Sequence, residues 1–163
     1  MKLKIEDLYS IQKELDDRIA KIHNVSYEET KTKRILALLV EIGELANETR
    51  CFKYWSNKAS SPKEVVLEEY VDGIHFLLSL GLYFNEQPKM IESLDNKLSL
   101  SEAFVEVYGL IAKLHLDFNE AGYIEAFRMF IAIGDMLMFS VEDIRSSYLM
   151  KNEENHSRQD NDY

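Results

Sequence analysis

Proline, glycine and cysteine are scarce in this sequence, which has 2 Pro, 6 Gly and 1 Cys among 163 residues. Few prolines and glycines favour a mostly helical chain, because both residues disrupt helix interiors. The single Cys51 can form no disulfide within the chain, which favours a reducing compartment such as the cytoplasm. Since we find no convincing strand, internal repeat or domain linker, the sequence predicts one all-α domain.

Basic residues are too few here for a broad nucleic-acid-binding surface. The chain has 19 Lys and Arg against 29 Asp and Glu, a formal net charge of −10, whereas such surfaces usually carry a basic stripe. Residues 74–84 are apolar only over the length of a core helix and include His75 and Ser79. With no basic-then-apolar leader, we expect a cytoplasmic protein with no membrane or nucleic-acid partner.

Apolar residues recur at helical spacing along most of the chain, which predicts a bundle of about six helices. Ser26 and Ser140 are followed three residues later by Glu29 and Asp143, a pattern that caps the start of a helix. Residues 85–98 are polar, contain Pro88 and favour no single state. The expected helices span residues 5–22, 27–52, 62–84, 99–118, 123–139 and 140–151.

Two pairs of acidic residues lie in the second and third expected helices, Glu41 with Glu44 and Glu69 with Asp72. Residues three apart on a helix project from nearly the same face. Both helices are apolar around most of their circumference, which places them at the centre of a bundle. If they pack side by side, the four carboxylates repel one another unless a cation neutralises them. Oxygen ligands favour Mg²⁺, with Mn²⁺ as a substitute; the alternative is a solvated helix face.

Three other features allow two interpretations each. His75 follows Asp72 at helical spacing, as in di-iron bundles, but the chain offers no second copy of that motif. His75 is therefore either a core histidine or a reader of a substrate base. Trp55, the only tryptophan, either anchors the protein rim or stacks on a nucleobase. Lys151, Asn155 and Arg158 have i, i+4, i+7 spacing, which suits phosphate oxygens on a continued helix, although a polar C-terminus is often disordered.

The acidic motifs and their surroundings resemble those of the dimeric, all-α dUTPases. The resemblance is carried by KRILALLVEIGELANE at residues 33–48, FKYWS at 52–56, LEEYVDGIHF at 67–76 and the tail from Lys151, and it extends from Gln12 to Tyr163. It implies hydrolysis of dUTP to dUMP and pyrophosphate, with dUDP also accepted. It implies that residues 1–151 form a pyrophosphatase domain and that residues 152–163 are a mobile tail that closes over the active site.

The resemblance also implies roles for individual residues. The Mg²⁺ ligands would be Glu41, Glu44, Glu69 and Asp72, and Glu44 would help to activate the attacking water. The nucleoside pocket would contain Gln12, Asp16, Trp55 and His75, and the phosphates would bind Lys151, Asn155 and Arg158. The chain departs from the family pattern at Asp16, where relatives often have Asn, and at Asp162, where the family tail often has Gly before the final Tyr.

A homodimer is a further expectation, with a deoxyuridine nucleotide as the small-molecule partner. Residues 127–139 contain more apolar side chains than a small bundle needs to bury, and the family resemblance points the same way. Two other functions stay open at this stage. One is a related all-α nucleotide pyrophosphatase with another base preference, such as dCTP. The other is a non-enzymatic, metal-binding helical interaction protein.

Overall fold

Six helices make up most of the chain in the computed structural model, which describes residues 1–95 and 97–161. They are α1 (Glu6–His23), α2 (Tyr27–Thr49), α3 (Lys63–Gly81), α4 (Leu100–Leu116), α5 (Glu120–Met136) and α6 (Val141–Asp160). The prediction of an all-α bundle of about six helices is confirmed. Within the described ranges there is no helix long and apolar enough to cross a membrane.

A two-stranded sheet is the element that the sequence prediction lacks, so the expectation of no strand is wrong. Strand β1 (Lys2–Lys4) pairs antiparallel with β2 (Met90–Glu92), which lies in the segment whose state the sequence left open. Leu3 lies opposite Ile91, and both side chains are buried. Three residues are too few to display the alternation that identifies a strand in a sequence.

The helix boundaries follow local capping signals. Both predicted capping boxes, at Ser26 and Ser140, are present, and a third lies at Ser99 with Glu102. The clearest difference is α6, which continues to Asp160 although apolar periodicity predicts an end near Lys151. Beyond that residue the helix has no apolar face in its described part, and polar contacts hold it instead.

The core lies around α3, which packs against α2 on one side and against α1 and α6 on the other. The hairpin of α4 and α5 covers the remaining side, with α4 against α2 and α5 against β2. The apolar run of α5 is buried within the chain, since Phe127, Phe130 and Ile131 have no exposed surface. Its interpretation as surplus surface for a dimer is therefore wrong: a helix that is apolar all round belongs to the core.

Gly73 allows α3 to approach α5 closely. A Cβ atom at this position would lie 2.5 Å from Cζ of Phe130, and Phe130 cannot easily move because it is fully buried and stacked on Tyr70 at 4.7 Å. The close approach sets the depth at which α3 sits in the bundle, and therefore the position of the neighbouring Asp72.

We expect Gly73→Ala to lower the free energy of unfolding by roughly 1–3 kcal/mol, because overpacking of a core shifts side chains and backbone. Gly109→Ala on the exposed face of α4 is the control, since a Cβ atom there would meet no described atom within 4 Å apart from the local backbone of its own helix. This control should stabilise the protein by up to about 1 kcal/mol through helix propensity. Urea unfolding of both variants measures the difference, and equal stabilities would contradict the packing argument.

Candidate active site

Three carboxylates converge where α2 faces α3. Glu41, Glu69 and Asp72 can place one oxygen each within 4.8 Å of one another, and each side chain is half-buried. Glu44, the fourth predicted ligand, lies outside this close group among the described residues and is exposed to solvent. The i, i+3 spacing thus brings together three of the four acids, with the fourth one helical turn away.

The acid cluster, defined here as Glu41, Glu69 and Asp72, is electrostatically unfavourable on its own. Burial and then the charges of Asp72 and Glu44 raise the pKa of Glu41 to about 7. Burial and then the charges of Glu44 and Asp72 raise the pKa of Glu69 to about 7. Burial also raises the pKa of Asp72, although Lys151 opposes that shift. A set of hard oxygen donors whose charge is poorly compensated fits a divalent cation.

Lys151 is the one basic side chain that forms ion pairs with this cluster in the described part of the chain. Its Nζ atom donates to Oε1 of Glu68 at 2.7 Å and lies 3.0 Å from Oδ2 of Asp72. Only 8% of the residue is exposed. Burial disfavours the charged amine, but the hydrogen bonds with Glu68 and Asp72 outweigh burial and raise its pKa. These contacts connect α6 to α3 at the edge of the cluster.

A cavity of about 410 Å³ opens beside the acid cluster, between α1, α2, α3 and α6. It brings together most of the residues predicted for the site, and its lining includes Gln12, Asp16, Glu41, Asp72, His75, Lys151, Asn155 and Arg158. Acidic groups and α6 cations therefore border one space. Trp55 is not part of this lining. It is 65% exposed and packs edge to face on Tyr54 and Phe52.

A buried chain of hydrogen bonds fixes the proton positions at the inner wall of the cavity. The carboxylate of Asp16 only accepts, so the amide nitrogen of Gln12 must point toward it, at 2.9 Å. Oε1 of Gln12 then accepts from the Tyr148 hydroxyl at 2.9 Å and from Nδ1 of His75 at 2.8 Å. His75 therefore carries its proton on Nδ1.

The other ring nitrogen of His75 is a buried acceptor. Nε2 has no hydrogen-bond partner among the described residues, and the side chain is only 5% exposed and stacks on Tyr148. Burial, assisted by the charge of Lys151, lowers the pKa of His75 to about 3, so the ring stays neutral. An unpaired buried acceptor is costly, and Nε2 itself has almost no accessible surface in this structure, so a donor on a ligand could reach it only after the ring or its neighbours move.

Asp16 anchors this chain of hydrogen bonds through contacts that the sequence analysis did not predict. It accepts hydrogen bonds from Tyr27, from Ser79 at 2.6 Å and from Arg34 at 2.7 Å, in addition to Gln12. Arg34 and Asp16 form an almost buried ion pair. The sequence offers no distinct signal for Arg34, which ends a polar, basic stretch just before the apolar run of α2, and its partner cannot be identified without the fold.

The raised pKa values predict how the metal-free protein responds to pH. Glu41 and Glu69 have folded-state pKa values of about 7, above the usual 4.5, so the folded protein holds more protons than the unfolded chain between these values. Its stability in EDTA should therefore fall as pH rises through this window. Glu69→Gln should reduce this loss and stabilise the protein above pH 7, on the order of 1 kcal/mol after solvent screening.

Glu106→Gln, on the exposed surface of α4, is the matched control and should leave the pH profile unchanged. Thermal unfolding in EDTA between about pH 5 and pH 8 measures all three proteins. A wild-type stability that does not change across this range would contradict the electrostatic account of the cluster.

Comparison with known proteins places this chain in a family. A sequence profile of the family described as dUTPase matches residues 4–163. Comparison with curated protein sequences gives no match. The profile covers nearly the whole chain, and the six-helix fold agrees with the resemblance noted from the sequence. The chain therefore belongs to the all-α dUTPase family, whose reaction is the hydrolysis of dUTP.

Proposed function

We propose that the protein is a Mg²⁺-dependent dUTP pyrophosphatase that forms dUMP and pyrophosphate and also accepts dUDP. The observation that carries this proposal is a single cavity lined by Glu41 and Asp72 of the acid cluster, by Lys151 and Arg158 of α6 and by the ring of His75. A nucleoside triphosphate needs these three chemistries together. The low number of cysteines adds a cytoplasmic location to the proposal, and the net charge of −10 argues against a nucleic-acid partner.

Glu41, Glu69 and Asp72, joined by Glu44 through a change of side-chain rotamer, would hold Mg²⁺ or Mn²⁺. The bound metal supplies charge neutralisation for the phosphates and acidity for a bound water. Glu44 orients the attacking water and accepts its proton, a role for which an exposed carboxylate next to two metal ligands is suited. Lys151, Asn155 and Arg158 bind phosphate oxygens, and residues 152–160 of α6 close over the cavity.

In this proposal, His75 provides the selectivity for uracil over cytosine. Its Nε2 atom accepts a hydrogen bond, and the N3–H group of uracil is a donor at the edge of the base. Cytosine has an acceptor at the same ring position, so it would face Nε2 with two lone pairs and no proton. The fixed tautomer therefore favours dUTP over the alternative substrate dCTP. A non-enzymatic role is less consistent with an unpaired buried acceptor.

We expect pyrophosphate release with dUTP and Mg²⁺, far less with dCTP, dTTP or UTP, and none in EDTA.

His75→Phe keeps a ring beside Tyr148 but removes the acceptor. It should lower kcat/KM for dUTP by about 10–100-fold and reduce the preference over dCTP. His115→Phe, at an exposed position on α4, is the control. No release from any of the four nucleotides would reject the proposed function, and unchanged selectivity in His75→Phe would reject only the role of His75.

The role of Glu44 is tested by Glu44→Gln, which preserves shape and removes charge. We expect kcat to fall by about 10²–10⁴-fold because both water activation and metal binding weaken. Circular dichroism should show an intact fold, since the side chain is exposed. Glu64→Gln, at an exposed position on α3, should remain active. Near-normal turnover of Glu44→Gln with Mg²⁺ would remove Glu44 from the mechanism.

A homodimer also belongs to the proposal, through a surface other than α5. Exposed apolar side chains lie on α2 (Leu36 and Val40), just after it (Phe52) and on α4 (Val105). Phe52 and Val105 line a groove of about 320 Å³ together with Gly43, Ala46, Cys51, Phe104 and Tyr108. A second copy of this chain would bury these side chains, as homodimer interfaces commonly do.

Light scattering at micromolar concentration should give about twice the 19.0 kDa chain mass. Val105→Glu should shift the protein toward monomer, because a charge would be buried at the interface. Leu116→Glu, at an exposed site at the other end of α4, should leave the mass unchanged. A wild-type protein that is active and entirely monomeric would refute the dimer.

A further inference from the structure

Arg18 of α1 holds the last two turns of α6. Its Nη1 atom donates to Nδ1 of His156 at 3.2 Å and to the His156 carbonyl oxygen at 3.1 Å. Its Nη2 atom forms an ion pair with Asp160. Because a guanidinium only donates, Nδ1 of His156 is the acceptor and carries no proton. One side chain thus contacts a ring, a backbone carbonyl and a carboxylate of the same helix end.

No buried apolar side chain holds this part of α6. The last buried apolar residue within its described range is Tyr148, and Leu149 and Met150 are exposed. After Lys151 and Asn152, every described residue of the helix is at least partly exposed. His23 of α1 adds one exposed contact, from Nε2 to Oε1 of Gln159 at 3.2 Å. The position of residues 153–161 therefore depends mainly on polar contacts with α1.

The cavity side of the same segment carries two of the proposed phosphate ligands. Asn155 and Arg158 line the cavity together with Gln159, whereas Arg18 is not part of its lining. A helix end without such contacts frays, because its last carbonyl groups lack partners and local unfolding there costs little free energy. Fraying would remove Asn155 and Arg158 from the cavity even if Lys151 stayed paired with α3.

We propose that Arg18 is a positioning residue, which keeps residues 153–161 helical and over the cavity so that Asn155 and Arg158 can bind phosphate. Arg18 acts through α6 and does not touch the substrate. The inference rests on the proposed function of α6 as the phosphate-binding element. It predicts that loss of Arg18 weakens substrate binding, because only the fraction of molecules with a docked helix end can bind productively.

The test compares Arg18→Met with Lys13→Met in the full-length protein. Lys13 also lies on α1, but its side chain pairs with Asp17 of the same helix at 2.5 Å. We expect Arg18→Met to raise KM for dUTP about tenfold with kcat within about twofold, since docking contributes to binding before the chemical step. Lys13→Met should have the KM and kcat of the wild type. Arg18→Lys keeps the charge but lacks the two Nη donors of the guanidinium, so it should recover part of the loss.

Hydrogen exchange of the nucleotide-free proteins provides a readout that does not depend on turnover. Amides of residues 153–161 should exchange faster in Arg18→Met than in Lys13→Met, whereas exchange in α2 and α3 should not change. Inorganic pyrophosphate with Mg²⁺ should protect the amides of residues 153–161 less in Arg18→Met than in the wild type. Asp160→Asn removes the ion pair without altering α1. It should show the same direction of change and serves as the decisive variant if Arg18→Met does not fold.

The outcomes separate this inference from the proposed function. A wild type that hydrolyses dUTP, together with an Arg18→Met variant of unchanged KM and unchanged exchange, would overturn the role of Arg18 alone. Loss of kcat and of global stability without local exchange at residues 153–161 would also overturn it, because that pattern indicates a merely structural residue. A wild type without dUTP hydrolysis would reject the proposed function, and the exchange comparison would still decide whether Arg18 holds α6.

Discussion

Repulsion among the carboxylates of α2 and α3 is the constraint around which this site is built. The two helices must pack closely to form the core, and close packing brings Glu41, Glu69 and Asp72 together in a half-buried position. A single buried lysine from α6 offsets part of that charge. The charge of the acid cluster therefore favours docking of α6 on α3 through Lys151, and the same docking closes one side of the cavity.

A second set of buried polar groups makes one part of the cavity lining chemically different from the acid cluster. Asp16 takes donors from four side chains, and this fixes how Gln12 and then His75 present their atoms. The cavity lining has two chemically different parts, Glu41 and Asp72 of the acid cluster and Asp16 with its network. One part is suited to cations and phosphates, whereas the other offers a neutral acceptor, so the two ends of a nucleotide would meet different chemistry.

Much of this arrangement could be predicted from the sequence, because it depends on spacing within single helices. The capping boxes at Ser26 and Ser140 and the two acidic pairs are local signals, and they led to the correct fold and to three carboxylates that the structure brings together. Contacts between distant segments left no such signal. The pairing of Arg34 with Asp16, the β1–β2 ladder and the contacts of Arg18 with α6 each join residues whose partners only the folded chain identifies. The burial of α5 shows the same limit, since an apolar helix looks alike whether a core or a partner covers it.

The Asp16 network has a consequence for how base selectivity could change during evolution. The Asp16 carboxylate can only accept, and this sets the orientation of the Gln12 amide. Gln12 in turn sets the tautomer of His75, so Asp16 determines through two hydrogen bonds that Nε2 is an acceptor. An asparagine at position 16 could donate or accept, and the Gln12 amide and the His75 tautomer would then be free to reverse together. If His75 reads the base as proposed, discrimination between bases could change through position 16, which need not touch the base, while His75 itself stays the same.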